Sequence, residues 1–212
     1  MSILTLDYRT RRAFEKDKLW SAREFFEKPG VIKASRHGFR TGSMDDYYFD
    51  FDYFISEPDK SAMVLDIFAN LVNEIRQEAN IDILAFLEKA SGGTVGAIRL
   101  SVALSIRTNL SHVIVRPAKG IIWERVKGLN ANNRDKNLRA IIVSDHCTTG
   151  DELMEAASEL RANGVIVNYA VVYTIRRDKI EAQKLKDENI YLRYAFALPA
   201  KFTGVDSIAI NY

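Results

Sequence analysis

With 212 residues, 47% of them apolar and 27% charged, the chain is long enough for one substantial core and has the make-up of a globular protein. A formal charge of +2 is too small to draw it to nucleic acid or an anionic membrane, and no apolar run approaches the roughly 20 residues that span a bilayer. The single cysteine, Cys147, excludes a disulfide framework and points to a reducing cytoplasm; the first residues lack the basic segment and apolar core of a secretory leader.

Residues 11–27 are predicted to form a helix with Phe14, Leu19, Trp20, Phe25 and Phe26 as apolar contacts, ended by Pro29-Gly30. Residues 47–55 alternate aromatics with Asp50 and Asp52, which suggests a strand with Phe49 and Phe51 in the core. Ser56-Glu57-Pro58 starts a helix to about residue 77, with Met63, Ile67, Leu71 and Ile75 on one face. Strand and helix then alternate. Strands are expected at 83–87, from 111, at 140–143, 165–174 and 191–198; helices at about 97–107 and 152–163, with a polar helical stretch at 179–188. Repeated β-α-β order predicts a parallel sheet covered by helices on both faces, with ligands at the carboxyl ends of the strands. The polar run at 128–135 is too short to link domains. Residues 1–212 therefore read as one domain, a helix and hood over about 1–55 and a core over about 56–200.

The corner Arg139-Ala-Ile-Ile-Val-Ser-Asp-His-Cys-Thr-Thr-Gly-Asp151 carries the chemistry. A buried strand delivers Asp145 to its carboxyl end, and Thr148-Thr149-Gly150 opens the next helix. Unpaired N–H groups and partial positive charge at a helix start suit a phosphate, the Thr hydroxyls add donors, and Gly150 permits close approach. Asp145 can accept from sugar hydroxyls, so a ribose 5-phosphate group would lie across this corner. Asp151 and Glu152 oppose it, because carboxylates at the mouth repel a dianion. His37, His112 and His146 are not spaced as metal ligands. Cys147 reads as small and buried rather than reactive.

That run resembles the PRPP-binding motif of type I phosphoribosyltransferases. Thr148, Thr149, Gly150 and the second acid, Asp145, match. Ser144 replaces the first acid, and Asp151 and Glu152 replace the small or basic and hydroxyl positions. The order of the motifs is similar to orotate phosphoribosyltransferases. A Gly loop after the second strand, with Lys89, Ser91, Gly92, Gly93 and Thr94, corresponds to the loop that holds pyrophosphate. The strand at 111 leads to Arg116, Pro117 and Lys119, where the family has Val-Arg-Lys opening a mobile catalytic loop. Arg40-Thr-Gly-Ser-Met-Asp-Asp-Tyr-Tyr is similar to the run that holds the pyrimidine, with Arg40 in the Lys position and Tyr47 and Tyr48 as its aromatics. Arg177 is the counterpart of a base-contacting Arg, and Arg176 reads as an exposed face.

The resemblance implies a Rossmann-like type I fold with a small N-terminal hood, and transfer of phosphoribose from PRPP to a nitrogenous base, with orotate favoured. Asp145, Lys119 and Arg116 would be catalytic. The PRPP site would comprise Ser144, Asp145, His146, Cys147, Thr148, Thr149, Gly150, Asp151 and Glu152. Mg²⁺ would arrive with PRPP, with no direct protein ligand, and a homodimer would share the basic loop. Ser144, Asp151, Glu152 and Pro117 keep two alternatives open: a degenerate protein that binds a nucleotide or sugar phosphate in a regulatory role, and a transferase for another base.

Overall fold

The computed structural model describes residue 19 and residues 22–27, 31–34, 47–87, 96–115, 126–127 and 137–210. Nine strands are seen among them: β1 Ile32–Ala34, β2 Tyr47–Phe49, β3 Ile83–Leu87, β4 Ser111–Val115, β5 Val126–Lys127, β6 Arg139–Cys147, β7 Ile166–Arg176, β8 Tyr191–Leu198 and β9 Ala209–Ile210. Besides helical residues at 22–24, six α-helices accompany them: α1 Phe51–Phe54, α2 Pro58–Glu78, α3 Gly96–Arg99, α4 Ser101–Thr108, α5 Asp151–Ala162 and α6 Ala182–Asp187.

β1 and β2 form an antiparallel ribbon, and the other seven strands make one sheet in the order β5-β4-β3-β6-β7-β8-β9. Its five central strands are parallel, and only β5 and β9 at the edges run antiparallel. The chain goes out from β3 to β4, then crosses back to lay β6 on the other side of β3. The connections after β3 and β6 therefore diverge, which opens a crevice at their carboxyl ends.

Each central strand is apolar on both faces because both are covered. Leu84, Phe86, Ile141, Val143, Val171 and Tyr173 face one core with α2 and the aromatic N-terminal residues. Ile83, Ala85, Leu87, Ile142, Ala170 and Val172 face the other, under α5. Helix α5 supplies Leu153, Ala156, Ala157 and Leu160, all buried and spaced to fall on one helical stripe. Helix α2 starts at Pro58, whose missing N–H costs nothing in a first turn. Its buried stripe is Val64, Ile67, Phe68, Val72 and Ile75, with Met63 and Leu71 only partly buried at its margins.

Two local expectations are corrected. The strand expected over 47–55 ends at Phe49. Asp50 accepts a hydrogen bond from the Tyr53 N–H at 2.9 Å and so caps α1, which buries Phe51 and Phe54 three residues apart on one side. The single helix expected over 97–107 is two, α3 and α4, joined at Leu100. The hood closes over Tyr173: rings of Phe26, Phe49, Phe51, Phe54, Phe68 and Phe196 stand with centroids 5.2–6.3 Å from the tyrosine ring.

Candidate active site

Strand β6 runs past its apolar stretch, through Ser144 and Asp145 to Cys147. Pairing with β7 continues alongside, matching Ser144 with Val172, His146 with Thr174 and Cys147 with Ile175. Asp145 thus lies within the carboxyl end of the sheet, 2% exposed. Its Oδ1 accepts from the His146 N–H at 2.8 Å and faces the Ser144 hydroxyl at 3.4 Å. Such a carboxylate costs free energy to bury unless donors meet it, and here the adjacent backbone meets it. His146 Nδ1 lies 2.7 Å from Thr174 Oγ1, which fixes the imidazole against β7. Cys147 is buried in the α5-side core, as its size predicts.

Beyond Cys147 the chain turns at Thr148, Thr149 and Gly150. Gly150 sits at φ 105°, and a Cβ there would lie 3.1 Å from the Leu185 side chain, so glycine is required by conformation and by space. The turn is braced from outside by α6: the Glu181 N–H donates to the Thr149 carbonyl at 3.0 Å. The following turn of α5 presents its N-terminal N–H groups, which have no carbonyl one turn back.

The carboxylates at this mouth differ from the sequence expectation. Asp151 is not a bare anion. Lys184 Nζ donates to its Oδ1 at 2.8 Å, and the Thr149 hydroxyl donates to its Oδ2 at 2.8 Å. Lys184 first, and Thr149 with it, hold the Asp151 carboxyl below the usual carboxylate range. The Thr149 hydroxyl, expected to face the ligand, is turned to Asp151. Glu152 is exposed on the same turn. Lys184 lay in a stretch that reads only as polar helix, and no local pattern links it to residue 151.

Two further groups reach this end of the sheet. Asp52 of α1 and Arg99, the last residue of α3, form an ion pair at 3.4 Å, a charge contact without hydrogen-bond geometry. Burial raises the Asp52 pKa, Arg99 opposes that rise, and the nearby Asp145 and Asp50 carboxylates add to it. A carboxylate from the hood and one from β6 are therefore close enough to feel each other. The D-F-D run at 50–52 was legible as a pattern, but its convergence on Asp145 was not.

Of the two arginines at the end of β7, the burial of Arg176 departs from the sequence reading. Arg176, read as exposed, is 4% exposed; its Nε and Nη2 hold the Asp178 carboxylate at 3.1 and 3.2 Å, and Nη2 also reaches the Ala200 carbonyl at 3.3 Å. β7 stays paired with β8 up to Arg176↔Leu198, which keeps that residue within the carboxyl end of the sheet, and Asp178 supplies the countercharge. Arg177 lies past the strand and is exposed. Arg40, Lys89, Ser91, Gly92, Gly93, Thr94, Arg116 and Lys119 lie outside the described residues. Tyr47 and Tyr48 are described only as backbone of β2, paired with Ala34 and Lys33.

No protein-family model matches the chain. The orotate phosphoribosyltransferase of Pyrococcus horikoshii is 32% identical over 139 residues, covering 65% of this chain and 69% of that one. The chain belongs to the orotate phosphoribosyltransferase family. The enzyme of that name from Methanosphaera stadtmanae is 28% identical over 162 residues, 76% of this chain and 83% of its own. The crystal structure of orotate phosphoribosyltransferase from Aeropyrum pernix superposes with a TM-score of 0.62 at 20% identity, covering 81% of this chain and 90% of that one. The mostly parallel sheet with helices on both faces is thus the type I phosphoribosyltransferase fold.

Proposed function

We propose that this chain transfers phosphoribose from PRPP to orotate, forming orotidine 5′-phosphate and pyrophosphate. The observation that carries the reading is the β6–α5 corner: a buried acid delivered by a central strand, followed at once by a glycine turn opening a helix, at the crevice beside β3. Family relatives over most of the chain support it. In the reaction a ring nitrogen of orotate bonds to the anomeric carbon and gives up its proton to solvent as the bond from that carbon to the pyrophosphate oxygen breaks, and the electron pair leaves on pyrophosphate. Protein groups need only orient the sugar and stabilise charge.

Thr148, Gly150 and the first turn of α5 would hold the 5′-phosphate. Asp145, already fixed by the His146 N–H, would accept from the ribose hydroxyls and offset the charge that grows on the sugar. Ser144, His146 and Cys147 would shape the corner beneath, and Asp151 and Glu152 would rim it. Lys89, Ser91, Gly92, Gly93 and Thr94 would receive pyrophosphate, joined by Arg116 and Lys119, in a homodimer from the neighbouring subunit. Arg40, Tyr47, Tyr48 and Arg177 would select the base, the two arginines favouring an anionic one. Mg²⁺ keeps several waters and takes few carboxylates beside substrate phosphates, so the Asp145 and Asp52 carboxylates would meet it through water. When bound, Mg²⁺ neutralises charge on the leaving pyrophosphate. Catalysis on one domain of residues 1–212 in a reducing cytoplasm completes the reading; among the described residues no helix is long and apolar enough to cross a membrane.

One observation favours a second reading, a regulatory protein that binds a nucleotide or sugar phosphate: the Thr149 hydroxyl is already engaged by the Asp151 carboxylate. Incubation with PRPP, Mg²⁺ and a panel of orotate, uracil and purine bases separates the readings. Orotidine 5′-phosphate formed in preference to other nucleotides is expected. Calorimetric PRPP binding without any nucleotide formed would leave the binding protein, and turnover with another base only would move the chain to that base. Sedimentation at assay concentration should give a dimer; a monomer would exclude a shared site.

A further inference from the structure

The Asp151 carboxylate makes two contacts of the kind a phosphate makes. It takes the Thr149 hydroxyl with Oδ2 and the Lys184 ammonium with Oδ1, each at 2.8 Å, at the start of α5. Lys184 is not brought there by that ion pair alone. Helix α6 is seated against the turn by the Glu181 N–H on the Thr149 carbonyl and by the Leu185 side chain on Gly150. The backbone of Lys184 is therefore held beside the turn whether or not Asp151 is charged. Its side chain is 51% exposed and that of Asp151 60%, so both border solvent. Glu181 Oε2, 3.4 Å from the same ammonium, is a second carboxylate for Lys184.

We propose, on the basis of the phosphoribosyl reading above, that Lys184 is a recognition residue for the sugar phosphate, and that Asp151 is an internal competitor that holds Lys184 and the Thr149 hydroxyl until the phosphate displaces it. A phosphate dianion at the turn outbids a single carboxylate for the two donors, because it offers more charge and three acceptor oxygens. The lysine stem is flexible enough to carry its ammonium across one carboxylate's width. The acids that looked hostile to phosphate are, at residue 151, a placeholder for it.

The test is calorimetry on the full chain with ribose 5-phosphate, a probe without pyrophosphate or base. Asp151→Asn should tighten binding and Lys184→Ala should weaken it, each about three- to tenfold at low salt. The double variant should fall between the two, and Lys184→Arg should stay near wild type. Raising the salt concentration should shrink both differences. A pair that merely braces the fold predicts the opposite pattern, with both single variants weakening binding and melting earlier; that result overturns the proposal, as does unchanged affinity in Lys184→Ala. No binding of ribose 5-phosphate by the wild type also overturns it. Tighter binding in Asp151→Asn with weaker binding in Lys184→Ala, but without orotidine 5′-phosphate formed from PRPP and orotate, upholds it and removes only the transferase reading.

Discussion

The β6–α5 corner and the aromatic hood are built in opposite ways. The corner is one uninterrupted stretch of chain, a strand, a turn and a helix, and its buried polar groups meet donors from the next residue or the next strand. The hood is drawn from dispersed segments: Phe26, Phe49, Phe51 and Phe54 come from before α2, Phe68 from α2 itself, and Tyr173 and Phe196 from two late strands. The corner places a few polar atoms; the hood buries ring area. One should fail by losing chemistry, the other by losing stability.

The largest effect should come from the hood. Phe54 is fully buried and its ring touches those of Phe25, Phe26, Phe49, Phe51 and Tyr173. Phe54→Ala should cost about 3–5 kcal/mol through lost burial and the cavity left behind, read by chemical denaturation. A loss under about 1 kcal/mol would mean that the hood is not part of the cooperative core.

In the corner, Asp145→Asn keeps the shape and removes the charge. It should lower kcat by about a hundredfold, about 2.7 kcal/mol of transition-state stabilisation, with a much smaller change in melting. If turnover fell less than about tenfold, Asp145 would be a structural acid satisfied by His146 and no more.

Tyr173 sharpens the contrast in the other direction. Its hydroxyl is wholly buried, with no hydrogen-bond partner among the described residues, and burial pushes its pKa well above the ordinary value. Tyr173→Phe removes an unsatisfied group and keeps the ring. Stability should therefore hold or rise by about 1 kcal/mol. A loss on that scale would reveal a partner for the hydroxyl.

The smallest effect is the pH response of the Asp151–Lys184 pair. The Asp151 carboxyl is held below its ordinary range by Lys184 and then Thr149, so its contribution to stability is present above that range and disappears as the pH falls through it. The Lys184 pKa is raised, chiefly by the hydrogen bond it donates to Asp151, so its side of the pair is intact at neutral pH and is lost only as the pH rises past the lysine range. Melting curves of wild type and Asp151→Asn should converge below about pH 4. Curves that stay parallel through that window would show that the pair does not contribute to stability.

How much of this was legible follows from the range of the forces involved. Side-chain period is a local property, so β3, β8, α2 and α5 could be read within a residue or two, and β6 over its apolar half only, since its last four residues are polar or small and carry no such signal, and with them the parallel sheet and the crevice at its carboxyl ends. Gly150 was legible for the same reason, since a turn opening a helix announces itself within three residues. The strand drawn through 50–55 failed because aromatics alternating with Asp fit a pleat and a capped helical turn equally well, and only the Asp50–Tyr53 hydrogen bond and the burial of Phe51 with Phe54 separate them. The ion pairs could not be read at all. Lys184 and Asp151 are 33 residues apart, and Arg99 and Asp52 are 47 apart, counted from their numbers. Charged side chains carry no period to reveal a distant partner, so which acid meets which base was decided by how β6, α6 and the hood pack. The sequence by itself determined the central strands and main helices, their order, and the strand-turn-helix corner proposed to take a phosphate. The tertiary structure decided that the Asp151 beside that corner is already answered by a lysine.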